Sequence, residues 1–205
     1  SHSHEFHVLA DSGEDAIVFS TESDFAANIE KAEALPSSPS DSQGTQQKQE
    51  VATPNTRSIE EVCALLSVDP SQTVKTLIVS VTDEESEENK KTLYALVVRG
   101  DHELNEVKAQ KILGVDTELT FASEQQIKDQ LNCPVGSLGP VDLGIPLIVD
   151  HSAAALTDFV CGANREGFHL TGVNWQSDCS IETQADIRNV VAGDPSPDGK
   201  GVLEI

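Results

Sequence analysis

Methionine is absent from this 205-residue chain, and tryptophan and tyrosine occur once each. Aromatic residues make up only 4% of the sequence, so a core must come mainly from Val, Leu, Ile and Ala. Cysteine occurs four times, at Cys63, Cys133, Cys161 and Cys179, and never as C-x-x-C. That spacing argues against a zinc site, and the low density argues against a disulfide framework. A reducing, cytoplasmic setting is expected, with no metal and no other cofactor. No apolar run approaches the length of a transmembrane helix, and no basic-then-apolar leader opens the chain, so no membrane partner is expected. The opening "SHSH" and the missing methionine read as an expression scar or an excised fragment. Positive charge is also scarce. Thirteen Lys and Arg face 35 Asp and Glu, a net charge of −22. This excludes the broad basic surface with which nucleic-acid binders usually hold phosphate. A nucleic-acid role would have to rest on a few local cations.

Several catalytic signatures are missing too. "GSLGP" precedes an apolar run, whereas dinucleotide and P-loop motifs run from a strand into a helix. No G-x-S-x-G elbow occurs. His102 and His151 each stand alone, without metal-ligand spacing to a second His or Cys.

What is present reads as an α+β chain. Residues 6–20 suggest two short strands around "DSGED", and 22–35 a short helix. Residues 36–56 are polar, without an apolar face, and read as a linker. Ser58 and Glu61 form a capping-box pattern ahead of Val62, Leu65 and Leu66 at helical spacing. "VKTLIVSV" and "TLYALVV" flank the acidic "TDEESEENKK" and predict a hairpin whose apolar runs belong to a sheet covered on both faces. Asn105 is placed to start a helix that Gly114 stops, and Ser123 with Gln126 opens another. Strands are expected at "ELTF", at "IPLIVD", around Phe159, through His169 to Trp175, and at "VLEI". The element order points to a mixed, largely antiparallel sheet, barrel-like, with flanking helices.

One stretch stands out. "CPVGSLGPVDLGIPLIVD", Cys133 to Asp150, concentrates Gly and Pro directly before a buried strand. Such a loop is either a connector or a rigid frame presenting backbone N–H groups. Lys75 heads the apolar run "TVKTLIV", where a charge either faces solvent or meets a ligand phosphate. His169 faces the opposite side of its strand from Phe168 and Leu170.

Taken together, "TVKTLIV", "RGDHELNEVK", "GSLGPV", "GAN-x-x-G-x-H-x-x-G-x-NW" and "ADIRNVVAGDPSPDGKG" resemble the insertion domain of bacterial-type prolyl-tRNA synthetase, an editing domain of the YbaK type. The resemblance implies that residues 51–184 are the insertion, with 1–50 and 185–205 as flanks from the synthetase core. It implies hydrolysis of alanine mischarged onto proline tRNA, and a core that is homodimeric in the full-length protein. It places Gly136, Ser137, Leu138, Gly139 and Pro140 in a loop holding the ester carbonyl. His169 would bound the amino-acid pocket, Lys75 would meet the tRNA end, and Asp150 matches an acid of the family. Arg99 and Lys108 are further candidate cations for tRNA. Two other readings fit the same residues: a non-catalytic module that binds the tRNA acceptor end, and a deacylase preferring another amino acid such as cysteine.

Overall fold

The computed structural model describes residues 16–21, 25–28, 32–34, 44–198 and 200–205. In chain order its elements are β1 (Ile17–Ser20), β2 (Ala26–Asn28), β3 (Gln49–Ala52), α1 (Ile59–Leu66), β4 (Val74–Thr82), β5 (Lys91–Arg99), α2 (Glu106–Leu113), β6 (Thr120–Phe121), α3 (Glu124–Leu131), β7 (Leu147–Asp150), α4 (His151–Ala154), β8 (Phe159–Gly162), β9 (Phe168–Val173), α5 (Trp175–Asp178), β10 (Thr183–Ala185) and β11 (Leu203–Glu204). Short 3₁₀ turns sit at Pro70–Gln72 and Val135–Ser137. The chain divides into a smaller unit, Ser1–Leu35 with Asn189–Ile205, and a larger one, Pro36–Arg188.

The larger unit is built on the apolar hairpin. β4 and β5 pair antiparallel from Val74↔Arg99 to Thr82↔Lys91. β7 adds parallel to β5, β10 parallel to β7, and β6 antiparallel to β4. The result is a five-stranded mixed sheet in the order β10-β7-β5-β4-β6. Alternate residues of β5 enter different cores. Ala95 and Val97 join the cluster holding Phe159, Leu170 and Trp175, whereas Leu96 and Val98 join Ala109 and Ile187. A strand buried on both faces has to read as continuously apolar, and this one does. β3, β9 and β8 form a second, antiparallel sheet. The described strands make open sheets, so the barrel-like expectation does not hold: the outer strands β6 and β10 are short and lie at opposite ends of the order.

The helix signals behave as their chemistry requires. Ser58 accepts from the Glu61 N–H at 3.2 Å, and Asn105 from the Lys108 N–H at 2.9 Å. Ser123 and Gln126 close a full capping box, and Gly114 ends α2 in the left-handed region.

Three expectations are corrected. Within 22–35, Ala26–Asn28 is a strand paired with β1, because tertiary pairing outweighs a weak helical pattern; residues 22–24, 29–31 and 35 lie outside the described residues, as do 6–15. The supposed linker 36–56 contains β3, which pairs with β9, while its residues 36–43 lie outside the described residues. Its approach is pinned by Asp158, whose carboxylate accepts from the Gln46 N–H at 2.9 Å and is itself held by Asn174 Nδ2 at 2.9 Å. A short edge strand whose apolar residues are only the adjacent Val51 and Ala52 gives no periodic signal. Finally, β9 stops at Val173 and Trp175 opens α5. There the Asn174 N–H donates to Asp178 at 2.9 Å, and Trp175 Nε1 donates to the Ala153 carbonyl at 2.9 Å.

The smaller unit pairs β1 with both β2 and β11 over a small core of Val18, Ala32, Val190 and Leu203. "VLEI" thus contributes a strand as expected.

Candidate functional site

The Gly/Pro loop owes its shape to close backbone packing. Pro134 opens the 3₁₀ turn, and its carbonyl accepts from the Ser137 N–H at 3.2 Å. Gly139 then passes against Gly162 of β8. A Cβ on Gly139 would collide with the Gly162 carbonyl, and a Cβ on Gly162 would collide with the carbonyls of Ser137 and Leu138. Glycine is required at both positions by this approach. Gly136 differs: it is exposed, a Cβ there meets nothing, and its φ is not positive.

Asn164, in the turn between β8 and β9, holds the loop from the other side. Its N–H donates to the Ser137 carbonyl at 2.7 Å. Its Oδ1 accepts from the Gly139 N–H at 2.7 Å, and its Nδ2 donates to the Val141 carbonyl at 2.9 Å. The N–H groups of Gly136 and Leu138 have no hydrogen-bond partner among the described residues.

Gly136 and Leu138 open onto a cleft of about 160 Å³. Lys75 and Thr76 of β4, Arg57 and Ser58 at the start of α1, Cys161 and Gly162 of β8, and His169 of β9 also line it. His169 is buried, and its Nδ1 lies 2.6 Å from Thr53 Oγ1. The hydroxyl serves either neutral tautomer, and no carboxylate bonds the ring among the described residues. Burial holds the imidazole pKa below its ordinary 6.5, so the ring is neutral at pH 7. Lys75 Nζ reaches Glu103 at 3.1 Å, with side chains 23% and 78% exposed respectively. Thr76 is 7% exposed, and its hydroxyl has no partner among the described residues.

No strong side-chain nucleophile is prepared here. Burial pushes the Cys161 thiol pKa far up, and the Cys179 thiol up to about 12. Among the described residues no group of three His, Cys, Asp or Glu gathers to hold a metal ion. The arrangement instead offers free backbone donors, a neutral imidazole wall and cations at one mouth. Such a cleft suits a neutral carbonyl joined to an anionic group.

Of the residues singled out in the sequence, Gly136, Leu138, His169 and Lys75 line one cleft. Ser137, Gly139 and Pro140 are buried behind it and support the loop. Asp150 does not line the cleft. It is 1% exposed and accepts from the N–H groups of Ser152 at 2.9 Å and Ile187 at 3.0 Å, with Arg188 Nε at 3.8 Å. Burial raises its pKa despite those bonds. Asp150 joins the end of β7 to the 187–188 segment. Lys108 is also committed: its buried ammonium binds Asp186 at 3.0 Å and the Arg188 carbonyl at 2.8 Å. Arg99 pairs with Asp101 at 2.6 Å. Both are ion-paired, as Lys75 is with Glu103; the Lys108 side chain is buried in its pair, whereas that of Arg99 stays 28% exposed. Arg57, Thr53, Thr76, Glu103 and Asn164 escaped the sequence reading. Thr76, Glu103 and Asn164 sat in motifs already noticed, whereas Thr53 and Arg57 did not.

The fold and cleft define a class before any comparison: a small α+β domain that binds through a backbone-lined cleft. Residues 53–178 match the aminoacyl-tRNA editing domain family. The chain belongs to that family. Among solved structures it is similar to the hypothetical protein APE2540, at 27% identity and a TM-score of 0.56, over 70% of this chain and 92% of that one. It also shares its fold with a candidate trans-editing enzyme for prolyl tRNA synthetase, at 18% identity and a TM-score of 0.55, over 70% of this chain and 87% of the other. No helix among the described residues is long and apolar enough to cross a membrane.

Proposed function

We propose that this chain hydrolyses the ester of mischarged tRNA, with alanyl-tRNA of the proline acceptor as its substrate. In this reading residues 51–184 are the editing insertion of a cytoplasmic prolyl-tRNA synthetase, and 1–50 and 185–205 are flanks of its homodimeric core. One observation supports it above the others. Unpartnered N–H groups of Gly136 and Leu138 sit in the same cleft as Lys75 and a neutral His169.

The reaction asks little of side chains. Water attacks the ester carbonyl, a C–O bond forms, and charge gathers on the carbonyl oxygen. The Gly136 and Leu138 N–H groups stabilise that oxyanion. The bond to the ribose oxygen then breaks, and the proton from water ends on that ribose oxygen. Removing one such donor typically costs about 10²–10³ in rate. Lys75 receives a phosphate of the tRNA end once it exchanges Glu103 for it. His169 closes the amino-acid pocket. A synthetic site shaped for proline rejects the smaller alanine weakly, so a second site that admits only small residues is the effective remedy.

The test is incubation with alanyl-, cysteinyl- and prolyl-tRNA of the proline acceptor, following ester loss. Selective loss of alanine is expected, with no proline-dependent pyrophosphate exchange. Binding without hydrolysis would assign an acceptor-end binding module instead. Preferential loss of cysteine would assign a different deacylase.

A further inference from the structure

We infer that Asn164 is a positioning residue for the carbonyl-holding loop, and that it selects which backbone donors face the substrate. This rests on the editing reading above and goes beyond it, because that reading gives Asn164 no part. The side chain of Asn164 spans two residues of loop backbone on either side of Pro140. It uses its acceptor on the Gly139 N–H at 2.7 Å and its donor on the Val141 carbonyl at 2.9 Å. Its own N–H takes the Ser137 carbonyl at 2.7 Å. Only one amide orientation satisfies both side-chain bonds, since the reverse sets NH₂ against N–H and oxygen against oxygen.

The residue type follows from two demands. A donor and an acceptor must sit side by side on a short arm, which leaves Asn among the small side chains. The backbone at 164 is also left-handed, with φ 58°, a conformation that Asn tolerates better than most residues. The consequence for chemistry is an assignment of donors. Pro140 has no N–H, the Gly139 N–H is taken by Asn164, and the Ser137 N–H turns back to Pro134. The donors left for a substrate oxygen are Gly136 and Leu138, whose spacing depends on where Asn164 anchors Ser137 and Gly139.

The test compares wild type with Asn164→Ala and Asn164→Asp in steady-state deacylation of alanyl-tRNA, well below each protein's melting temperature. Asn164→Ala should lower kcat by about 10²-fold, the scale expected for loss of alignment, and leave KM within about threefold. Asn164→Asp keeps the acceptor for Gly139 but sets a carboxylate oxygen against the Val141 carbonyl. Its kcat relative to wild type should fall at pH 8 and recover toward pH 5, as protonation restores a donor. A residue needed only for folding would lower the active fraction without that pH recovery. If Asn164→Ala does not fold, the isosteric Asn164→Asp carries the test through its pH profile. Backbone hydrogen exchange gives a readout independent of activity: the Gly139 amide should lose protection in Asn164→Ala while β5 amides keep theirs. Wild-type kcat in both variants overturns the inference and leaves the editing reading standing. A wild-type protein inactive on all three aminoacyl-tRNAs overturns both.

Discussion

His169 is held neutral by burial, and this has a measurable sign. Its folded pKa lies below the unfolded value of about 6.5, so the unfolded chain takes up the proton first. Stability from this residue is therefore complete above pH 6.5 and is lost as pH falls through that value toward the folded pKa. Denaturant unfolding at pH 7 and pH 5 should show wild type losing more stability than His169→Gln. Equal losses would mean that the ring is not desolvated in the folded state. Shortening the residue in His169→Ala should open the pocket, so that prolyl-tRNA becomes a substrate relative to alanyl-tRNA. Thr76 gives a second, opposite kind of prediction. Its buried hydroxyl has no partner among the described residues, so Thr76→Val removes an unmet polar group and should leave stability unchanged or higher by up to about 1 kcal/mol. If that hydroxyl meets the substrate, kcat/KM should drop roughly 3- to 10-fold, the worth of one hydrogen bond. A variant that is less stable and fully active would reverse the assignment.

At the scale of elements, the loop and the β8–β9 hairpin form one packed unit. Glycine content alone does not show which glycine matters. Gly136→Ala meets open space and should stay within about 0.5 kcal/mol of wild-type stability. Gly139→Ala drives a methyl into the Gly162 carbonyl and should cost about 1–3 kcal/mol, with loss of deacylation as the loop moves. Thermal melts of the two variants decide this, and a larger loss at Gly136 would return the loop to an ordinary connector. The same element shows what a linear pattern can hide. "GAN" reads as a hairpin turn, and turn chemistry does account for its left-handed Asn. Its side-chain bonds reach back 23 to 25 residues, and no local spacing announces them.

For the whole molecule, the net charge of −22 sets the terms on which tRNA can approach. The net charge repels the body of the substrate, and Lys75 and Arg57, which line the cleft, supply local attraction there. Lys75→Ala should lower kcat/KM through KM. It should also flatten the dependence of log(kcat/KM) on log[salt] by about 0.7, the slope of one lost contact to a single strand. An unchanged slope would mean that Lys75 stays with Glu103 throughout. Glu103→Gln should move KM the other way.

The α+β class, the β4–β5 hairpin, the three capped helices and a Gly/Pro loop before β7 were all legible in the linear chain. Each rests on local physics: alternation, caps, turn residues and the steric demands of Gly and Pro. Lys75 and His169 stood out in apolar runs and Gly136 in the Gly/Pro loop, but the roles expected of them came from the family resemblance and not from local pattern. Tertiary structure alone decided the rest. β3 is a strand because β9 supplies its partners, and Ala26–Asn28 is one because β1 does. Asp150 and Lys108 look like site residues in sequence but are spent on buried contacts with the 186–188 segment. Thr53, 116 residues from His169, becomes its hydrogen-bond partner only once β3 has paired with β9. Local propensity acts over a few residues of chain, whereas burial and hydrogen-bond satisfaction act across space. Which polar groups are left free for a ligand is therefore settled only when every other one has found its partner.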